Sequence, residues 1–189
     1  MINYCGLKRI FDILFSLFLL VCLLPIFLMI SVIIFIQDGG PPILRQDRVG
    51  KKGVVFRFYK FRSMPMNTPN VESKDTQKLQ ITPFGKFIRR TNLDELPQFY
   101  NVLKGDMSFI GPRPPIPSQT ELIELRRING ALKLRPGLTG WAQVNSFEGM
   151  SVSGKAKFDG EYASNISFGM EVLILLKTIL YFTKTPPTY

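Results

Sequence analysis

A run of 24 residues without a charged side chain, Ile13 to Ile36, constrains this chain more than any other feature. A helix needs about 20 predominantly apolar residues to cross the hydrocarbon core of a bilayer, so the run predicts a membrane helix. A cleaved signal peptide is the rival interpretation, but its apolar core is shorter, and no small-residue cleavage site precedes Gln37. We therefore predict a membrane segment at residues 1–36 and a polar domain at residues 37–189.

Both flanks of the apolar run are basic, which bears on how the helix sits in the membrane. Lys8 and Arg9 precede it, and the cations that follow are Arg45, Arg48, Lys51, Lys52 and Arg57. Positive charge marks the cytoplasmic side, and only a helix that bends and returns keeps both flanks there. Pro25, preceded by Leu24 near the middle of the run, supplies a bend. Since spanning helices also tolerate proline, these residues alone leave the spanning and re-entrant topologies open.

Composition excludes several kinds of chemistry. The chain has 24 Lys and Arg against 14 Asp and Glu, a formal charge of +10, which indicates an anionic partner such as nucleic acid, a membrane surface or a phosphorylated substrate. It has no histidine, which rules out Ser-His-Asp and Cys-His nucleophile systems and histidine-ligated zinc. Its two cysteines, Cys5 and Cys22, predict no disulfide framework, in agreement with a cytoplasm-facing protein.

The polar domain combines one clear strand with several helices. Aromatic and β-branched residues predict a strand over 54–62, and the polar stretch 64–78 predicts an exposed loop. A capping-box pattern at 118–121 opens one of the predicted helices. The predicted helices cover residues 82–90, 94–104, 118–134 and 168–182. The fold class is therefore α/β, mostly helical with a small strand component.

Asp94 and Glu95 are adjacent carboxylates just before Pro97. Proline is acceptable in the first turn of a helix, which places Asp94 at or near the N-cap, so the simple interpretation is a structural cap. Arg89 and Arg90 upstream, the affinity of helix N-termini for anions, and the absence of histidine favour a catalytic role instead. In that role Asp94 acts as a nucleophile towards phosphorus, and Glu95 beside it holds Mg²⁺.

Four further basic residues stand where phosphate contacts are expected. Lys60 and Arg62 end the predicted strand, Arg113 lies in a Gly-Pro-Arg-Pro turn, and Arg135 opens an Arg-Pro-Gly turn. Each one alone is equally well explained as solvated surface. Arginines fixed by neighbouring prolines lose little entropy on binding, and a planar guanidinium matches phosphate oxygens, so the set predicts contacts with a phosphorylated substrate.

Longer motifs carry a resemblance to a known family. They are Lys8-Arg9-Ile10-Phe11-Asp12, Tyr59-Lys60-Phe61-Arg62-Ser63-Met64, Leu93-Asp94-Glu95-Leu96-Pro97-Gln98, the stretch from Asn101 to Pro114, and the stretch from Arg135 to Asn145. With these motifs the chain resembles the bacterial sugar transferases, which are monotopic phosphoglycosyl transferases. It is similar to their short form, which has the catalytic domain without extra transmembrane helices. The resemblance runs from about Lys8 to the C-terminal helix.

The resemblance implies a reaction and a site. A sugar 1-phosphate passes from a UDP-sugar to undecaprenyl phosphate, giving undecaprenyl-diphosphate-sugar and UMP, as the first membrane step of a bacterial glycoconjugate pathway. Asp94 is implied as the nucleophile that forms an aspartyl-phosphosugar intermediate, with Glu95 as its catalytic partner and both carboxylates as Mg²⁺ ligands. The substrate-binding positions implied are Lys60, Arg62, Arg89, Arg113, Arg135, Gln143 and Asp159.

The resemblance also implies a location. A re-entrant helix broken at Leu24-Pro25 and interfacial amphipathic helices place a monotopic protein on the cytoplasmic face of the bacterial inner membrane. We expect the C-terminal helix on the membrane surface, because Lys177 interrupts its apolar stretch Val172 to Leu176. The expected partners are inner-membrane lipids and the glycosyltransferases that act next, and no nucleic acid. One departure from the family pattern is Ser146-Phe147-Glu148 where many members have Gly-Arg-Asn.

Two other functions fit parts of the sequence. A non-catalytic adaptor anchored to anionic lipid would keep the apolar run and the positive charge but would not need Asp94 beside Glu95. An RNA-binding domain would use the aromatic and basic strand from Phe56 to Phe61, although it shows no clear stacking motif and the apolar run argues against it. Mg²⁺-dependent release of UMP from a UDP-sugar distinguishes the enzyme from both.

Overall fold

The computed structural model describes residues 4–65, 81–146 and 150–182. Within these ranges the chain forms eight α-helices and two sheets of two strands each, so the predicted helical fold with a small strand component is confirmed. The loop predicted over residues 64–78 lies outside the described residues from position 66 onward.

The apolar segment forms two helices that meet at an angle. Helix α1 covers Tyr4–Cys22 and helix α2 covers Leu24–Asp38, with a bend of 59° between them. Pro25 lies in the first turn of α2. Because its ring crowds the carbonyl four residues earlier and offers it no N–H, the helix breaks just before the proline. Among the described helices none is long and apolar enough to cross a membrane alone, but α1 and α2 together reach that length.

One side of this helix pair packs on the rest of the protein. In α2, the side chains of Ile30 and Ile34 are buried against Phe61 and Ile88. In α1, Asp12 and Ser16 are buried. The other side of the pair exposes large apolar side chains, among them Leu14, Leu17, Phe18, Val21, Leu24, Leu28, Met29, Val32 and Phe35.

A buried hydrogen-bond cluster around Glu171 fixes the base of α1. The Glu171 carboxylate accepts hydrogen bonds from Tyr4 Oη at 2.7 Å, from Lys8 Nζ at 2.7 Å and from Tyr162 Oη at 2.6 Å. Lys8 Nζ also donates to the carbonyl oxygen of Ile110 at 3.1 Å. The side chains of Lys8 and Glu171 are only 14% and 9% exposed, so water competes little with their ion pair.

Two small sheets complete the framework. Strands β1 (Ile43–Val49) and β2 (Val55–Phe61) are antiparallel and are joined through a 3-10 turn at Lys51–Gly53. Strands β3 (Ser108–Ile110) and β4 (Gly137–Thr139) pair in parallel. The predicted strand over 54–62 is confirmed as β2. The sequence analysis did not predict β1, since its middle is polar, nor β3 and β4, since three residues are too few to show an alternation.

Six helices follow the first sheet. They are α3 (Pro83–Arg90), α4 (Gln98–Lys104), α5 (Thr120–Ile128), α6 (Trp141–Val144), α7 (Val152–Ser164) and α8 (Phe168–Phe182). The predictions over 82–90 and 168–182 are confirmed. Helix α3 begins where expected because Thr82 Oγ1 accepts a hydrogen bond from the Gly85 N–H at 2.9 Å.

Two helix predictions were wrong at their ends. The helix predicted over 94–104 begins only at Gln98, because Leu93–Glu95 forms a separate 3-10 turn. The helix predicted over 118–134 ends at Ile128, and a 3-10 turn follows at Ala131–Lys133. The residue that flanks the start of α5 is Gln119, one position after Ser118 of the predicted capping box, and the Gln119 side chain makes no cap.

We expect Glu171→Gln to lower the free energy of unfolding by about 3 kcal/mol, because the amide leaves the buried Lys8 ammonium without its counter-charge. Glu124→Gln is the matched control, because Glu124 forms an ion pair with Arg127 on the surface. The Arg127 side chain is 64% exposed and the Glu124 side chain 56%. That variant should change stability by under about 0.5 kcal/mol. Denaturant unfolding of the purified full chain measures both, and equal effects would show that the Glu171 cluster is not a special constraint.

Candidate active site

Asp94 lies on the 3-10 turn Leu93–Glu95 between α3 and α4. Asn92 precedes the turn with φ of 54°, a left-handed conformation that asparagine tolerates better than most residues. The neighbouring Leu93 packs against the core cluster that contains Ile30 of α2, so the apolar helix pair supports the turn directly. The predicted N-cap position of Asp94 was wrong, because Pro97 precedes α4 and no side chain caps it.

The surroundings of Asp94 raise the pKa of its carboxyl group above the usual range. The residue is only 9% exposed, and burial, followed by the negative charge of Glu95, raises its pKa to about 6. Lys60, Arg89 and Arg113 act in the opposite direction by stabilising the carboxylate. Asp94 is therefore mostly ionised at neutral pH but poorly solvated, a condition in which a carboxylate is a better nucleophile than in water.

Glu95 is held in a different state by one arginine. Arg113 Nη2 donates a hydrogen bond to Glu95 Oε1 at 2.6 Å. Burial pushes the pKa of Glu95 upward, but the charge and the hydrogen bond of Arg113 outweigh it, so this pKa falls below its usual range. The adjacent carboxylates thus have pKa values shifted in opposite directions, the pattern that separates roles in many active sites.

Lys60 and Arg89 complete the charge environment on the other side of Asp94. Burial, followed by the positive charge of Arg89, lowers the pKa of Lys60. Arg89 Nε donates to Ser63 Oγ at 2.8 Å, which fixes the guanidinium at the end of α3. These cations lie close together in a partly buried place, so an anionic ligand would relieve their repulsion.

Arg48 belongs to the same cluster and was missed by the sequence analysis as a site residue. Burial, followed by the charge of Arg113, lowers its pKa to about 10. Its Nη1 donates to the Pro114 carbonyl at 3.2 Å, and its guanidinium lies over the Phe58 ring, 5.3 Å from the centroid. The strand β1 that carries Arg48 was not predicted, so nothing in the sequence placed this residue near the Arg113 turn.

The structure gives Asp159 a different task from the one that the resemblance implied. Its carboxylate is 1% exposed and is held by Arg126, with Nη2 to Oδ2 at 2.6 Å. Arg126 Nη1 in turn donates to the Arg113 carbonyl at 2.8 Å. Asp159 is therefore occupied within the protein and supports the Arg113 turn through Arg126. In the sequence, the spacing of four residues between Leu122 and Arg126 is the signal that could have revealed this arginine, because it places both on one face of α5, the face that the structure buries.

The other predicted substrate residues lie elsewhere. Arg62 follows β2 and is buried at 8% exposure. Arg135 Nε donates to the Gly105 carbonyl at 2.9 Å, close to Arg9 at the base of α1. Gln143 Nε2 donates to the Leu138 carbonyl at 2.9 Å. The structure thus brings Lys60, Arg89, Arg113, Asp94 and Glu95 together, while Arg135 and Gln143 are not among the described groups that act on Asp94.

The donor set at Asp94 and Glu95 fits a partially coordinated Mg²⁺. Within the described residues no three acidic, histidine or cysteine side chains gather into a complete metal cage. Mg²⁺ is commonly held by one or two protein carboxylates together with substrate phosphates and water. Glu95 Oε1 is engaged by Arg113, which leaves Oε2 and the Asp94 carboxylate as the oxygens that could take part.

The fold and the site together define a class of protein. A poorly solvated carboxylate with a second carboxylate beside it, surrounded by lysine and arginine, suits reactions at phosphorus in a negatively charged substrate. The sequence profile of the family described as bacterial sugar transferase matches residues 3–185. The chain belongs to this family.

Individual relatives are similar over nearly the whole chain. An "Uncharacterized sugar transferase EpsL" from Bacillus subtilis is 36% identical over 173 residues, 92% of this chain and 85% of the relative. An "Undecaprenyl-phosphate galactose phosphotransferase" from Salmonella typhimurium is 38% identical and covers 91% of this chain. A "UDP-glucose:undecaprenyl-phosphate glucose-1-phosphate transferase" from Escherichia coli is 37% identical and covers 92%. The chain spans only 39% of the length of each of the last two proteins.

We expect Asp94→Asn to be at least as stable as the wild type at pH 7.5. An unfolded aspartate has a pKa of about 3.9, so the folded wild type binds the extra proton between about pH 4 and pH 6 and loses stability as the pH rises through that window. Above pH 6 the loss reaches up to about 3 kcal/mol, which the neutral asparagine avoids.

Unfolding of both proteins at pH 7.5 and pH 4.5 tests this, with the advantage of the variant shrinking at the lower pH. Asp47→Asn serves as the control, because Asp47 is half exposed in an ion pair with Arg57. A variant that is less stable than wild type by the same amount at both pH values would contradict the burial of an unfavourable charge at Asp94.

Proposed function

We propose that this chain transfers a sugar 1-phosphate from a UDP-sugar to undecaprenyl phosphate, releasing UMP and forming undecaprenyl-diphosphate-sugar. One observation carries the proposal: Asp94 is a buried carboxylate with a pKa of about 6, adjacent to Glu95 and facing the charges of Lys60, Arg89 and Arg113. Family membership and relatives named as undecaprenyl-phosphate sugar phosphotransferases support the same reaction.

The reaction proceeds in two displacements at one phosphorus atom. A carboxylate oxygen of Asp94 attacks the phosphorus that bears the sugar, and the bond from that phosphorus to the UMP oxygen breaks. UMP leaves with the electron pair of that bond, and an aspartyl-phosphosugar remains. An oxygen of the lipid phosphate then attacks the same phosphorus and releases the Asp94 carboxylate. Dividing the transfer into two steps lets the product UMP leave before the anionic lipid phosphate enters.

The cations near Asp94 have a defined purpose in this scheme. Attack of a carboxylate on a diphosphate brings negative charges together, and fixed guanidinium and ammonium groups lower the resulting barrier. Arg113 keeps the neighbouring carboxylate, Glu95, in its ionised form, so a carboxylate oxygen that can bind a hard cation stays next to the nucleophile. Asp94 and Glu95 would hold Mg²⁺, whose charge would further neutralise the phosphates of the substrate.

The same proposal includes a membrane location on the cytoplasmic face of the bacterial inner membrane. The bent pair of α1 and α2 exposes a continuous set of large apolar side chains and has basic residues at both ends, which favours a re-entrant insertion over a span. Since Leu93 beside Asp94 packs on the core cluster of α2, insertion would hold the site near the phosphate of the lipid acceptor. Glycosyltransferases that extend the lipid-linked sugar are the expected consumers of the product.

Helix α8 contributes a second apolar surface. Its side chains Phe168, Leu176, Ile179 and Leu180 are exposed, which suits a helix lying in the interface. Lys177, which interrupts the apolar stretch of this helix, is directed back to the protein: its Nζ donates to Asn145 Oδ1 at 2.7 Å and lies 4.6 Å from the centre of the Trp141 ring.

UMP release from a UDP-sugar, measured with and without undecaprenyl phosphate and across a Mg²⁺ titration, tests the reaction. We expect Asp94→Asn to abolish turnover, because an amide is not a nucleophile towards phosphorus. Glu95→Gln should lower turnover and raise the Mg²⁺ concentration needed for half-maximal rate, because a neutral amide is a poorer ligand for a hard cation.

Asp47→Asn is the control for these variants, since it removes one carboxylate from an exposed ion pair on β1. It should keep normal rates and an unchanged metal titration. Near-normal turnover of purified Asp94→Asn would end the covalent mechanism, and an unchanged Mg²⁺ titration for Glu95→Gln would remove that residue from the metal site. A panel of UDP-sugars in the same assay would identify the donor.

The topology can be tested with Cys5 in a Cys22→Ser background. Since a re-entrant helix keeps its N-terminal base in the cytoplasm, we expect a membrane-impermeant thiol reagent to label Cys5 in permeabilised cells but not in intact ones. Labelling from the periplasm in intact cells would show that α1 and α2 span the membrane. Pro25→Ala in the same background should increase the periplasmic fraction, because it removes the cause of the bend.

A further inference from the structure

Arg48 is a half-buried cation of the candidate active site that, among the described residues, makes its hydrogen bonds with neutral groups. Its Nη1 donates to the Pro114 carbonyl at 3.2 Å and its Nη2 to Gln46 Oε1 at 2.8 Å. Its Nε is buried and has no acceptor in the described part of the chain. The carboxylate that acts on it, Glu95, is bound to Arg113 instead. A guanidinium removed from water without a counter-ion of its own is unfavourable, so the charge of Arg48 needs an explanation.

A structural role alone does not explain this positive charge. The Arg48 guanidinium lies over the Phe58 ring, and its hydrogen bond to Pro114 supports the turn that carries Arg113. A neutral amide side chain could donate the same hydrogen bond without a charge. The charge of Arg48 instead opposes that of Arg113, and burial followed by this repulsion lowers the pKa of Arg48. Cations that are held together at a stability cost are typical of a site that binds an anion.

Strand pairing places Arg48 on the same face of the first sheet as Lys60. In the register of β1 and β2, the directly opposed pairs include Arg48 with Phe56, Gln46 with Phe58, and Leu44 with Lys60. Because side chains alternate between the two faces along a strand, these three pairs share one face. Lys60 stands opposite Leu44, four positions before Arg48, which is about 13 Å along the sheet at about 3.3 Å per residue. This face therefore carries a cation of the site at each of two separate points.

The two ends of this row of cations lie beside different carboxylates. The described cations that act on the Asp94 carboxylate are Lys60, Arg89 and Arg113. Arg48 is not among them, and the charges that act on Arg48 are those of Arg113 and Glu95. Arg113 belongs to both groups, because it binds Glu95 at 2.6 Å and stands next to the Pro114 carbonyl that Arg48 holds. The site thus extends from the nucleophile, past Glu95 and Arg113, to Arg48.

We propose that Arg48, together with Arg113, binds the phosphate of the donor that leaves as part of UMP. The inference rests on the proposed function, in which Asp94 attacks the phosphorus that bears the sugar. In such a displacement the attacking and leaving oxygens lie roughly in line, so the departing phosphate is on the side away from the nucleophile. Negative charge develops on its oxygen as the bond breaks, and a fixed guanidinium at that end of the site stabilises this charge. The planar guanidinium of Arg48 can bind a phosphate oxygen while it holds the Pro114 carbonyl.

Binding of UMP tests the assignment, because UMP carries this phosphate and is not itself transferred. The full chain, purified in a maltoside detergent, is titrated calorimetrically with UMP and with uridine. We expect Arg48→Gln to raise the Kd for UMP by at least about tenfold, because a charge-assisted hydrogen bond to the phosphate is lost. Arg48→Lys keeps the charge without the planar fork and should raise the Kd by about threefold. Uridine, which lacks the phosphate, should bind the wild type and both variants equally.

Arg57→Gln is the charge-matched control on the same sheet. Arg57 lies between Phe56 and Phe58 and so on the opposite face, where its side chain is 62% exposed in an ion pair with Asp47. Its substitution should leave the Kd for UMP unchanged, and an effect equal to that of Arg48→Gln would overturn the proposal.

A double-mutant cycle with Arg113→Gln separates direct contact from support of the turn. If Arg48 contacts the phosphate itself, Arg48→Gln will raise the Kd for UMP further in the Arg113→Gln background. Absence of any further effect there would show that Arg48 acts only through Arg113 and would overturn the proposal.

Failure of this inference is distinguishable from failure of the proposed function. A folded wild-type chain that binds no UMP would overturn both. Normal UMP release by the wild type, with equal UMP affinity in the wild type, Arg48→Gln and Arg48→Lys, would overturn the role of Arg48 alone. An unchanged affinity for UMP with a raised KM for undecaprenyl phosphate in Arg48→Gln would assign Arg48 to the lipid phosphate and show the proposal to be wrong. Thermal unfolding establishes that each variant is folded, and Arg48→Lys carries the test if Arg48→Gln does not fold.

Discussion

The ion pair between Lys8 and Glu171 is the constraint on which the other parts of the structure depend. It joins the first helix to the last helix of the described chain, 163 residues apart in sequence, in a place with little access to water. The hydroxyls of Tyr4 and Tyr162 complete the coordination of the carboxylate. Because each charge would be costly to bury alone, the base of α1 has one favourable position, and the apolar helix pair leaves the protein in a fixed direction.

Hydrogen bonds to backbone carbonyls connect this cluster with the segment that carries Arg113 of the candidate active site. Lys8 binds the carbonyl of Ile110, three residues before Arg113. Arg126, held by Asp159, binds the carbonyl of Arg113 itself, and Arg48 binds that of Pro114. The segment that presents Arg113 to Glu95 is thus held on both sides, which limits the motion of the Arg113 guanidinium.

The burial of the Asp94 carboxylate is by itself unfavourable for stability. A carboxylate buried beside another one is unfavourable, and the surrounding cations only partly offset that cost, as the raised pKa of Asp94 records. The site is tolerable because Leu93 and Leu96 on either side pack into the apolar cluster formed by α2 and β2. The hydrophobic packing of helix α2 therefore also holds the Asp94 carboxylate in place.

The sequence by itself determined the apolar helix pair, its break near Pro25, strand β2, helices α3 and α8, and the adjacent carboxylates with their neighbouring cations, because periodicity, proline and residue chemistry are local signals. It did not determine that Leu93–Glu95 leaves the helix, since the alternative 3-10 turn depends on packing against α2. Tertiary structure alone decided that Asp159 pairs with Arg126, that Arg48 joins Arg113, and that Arg135 lies with Arg9 instead of with Asp94. Each of those outcomes joins residues from distant parts of the chain, and their partners are selected by burial and charge compensation in space, which no local pattern encodes.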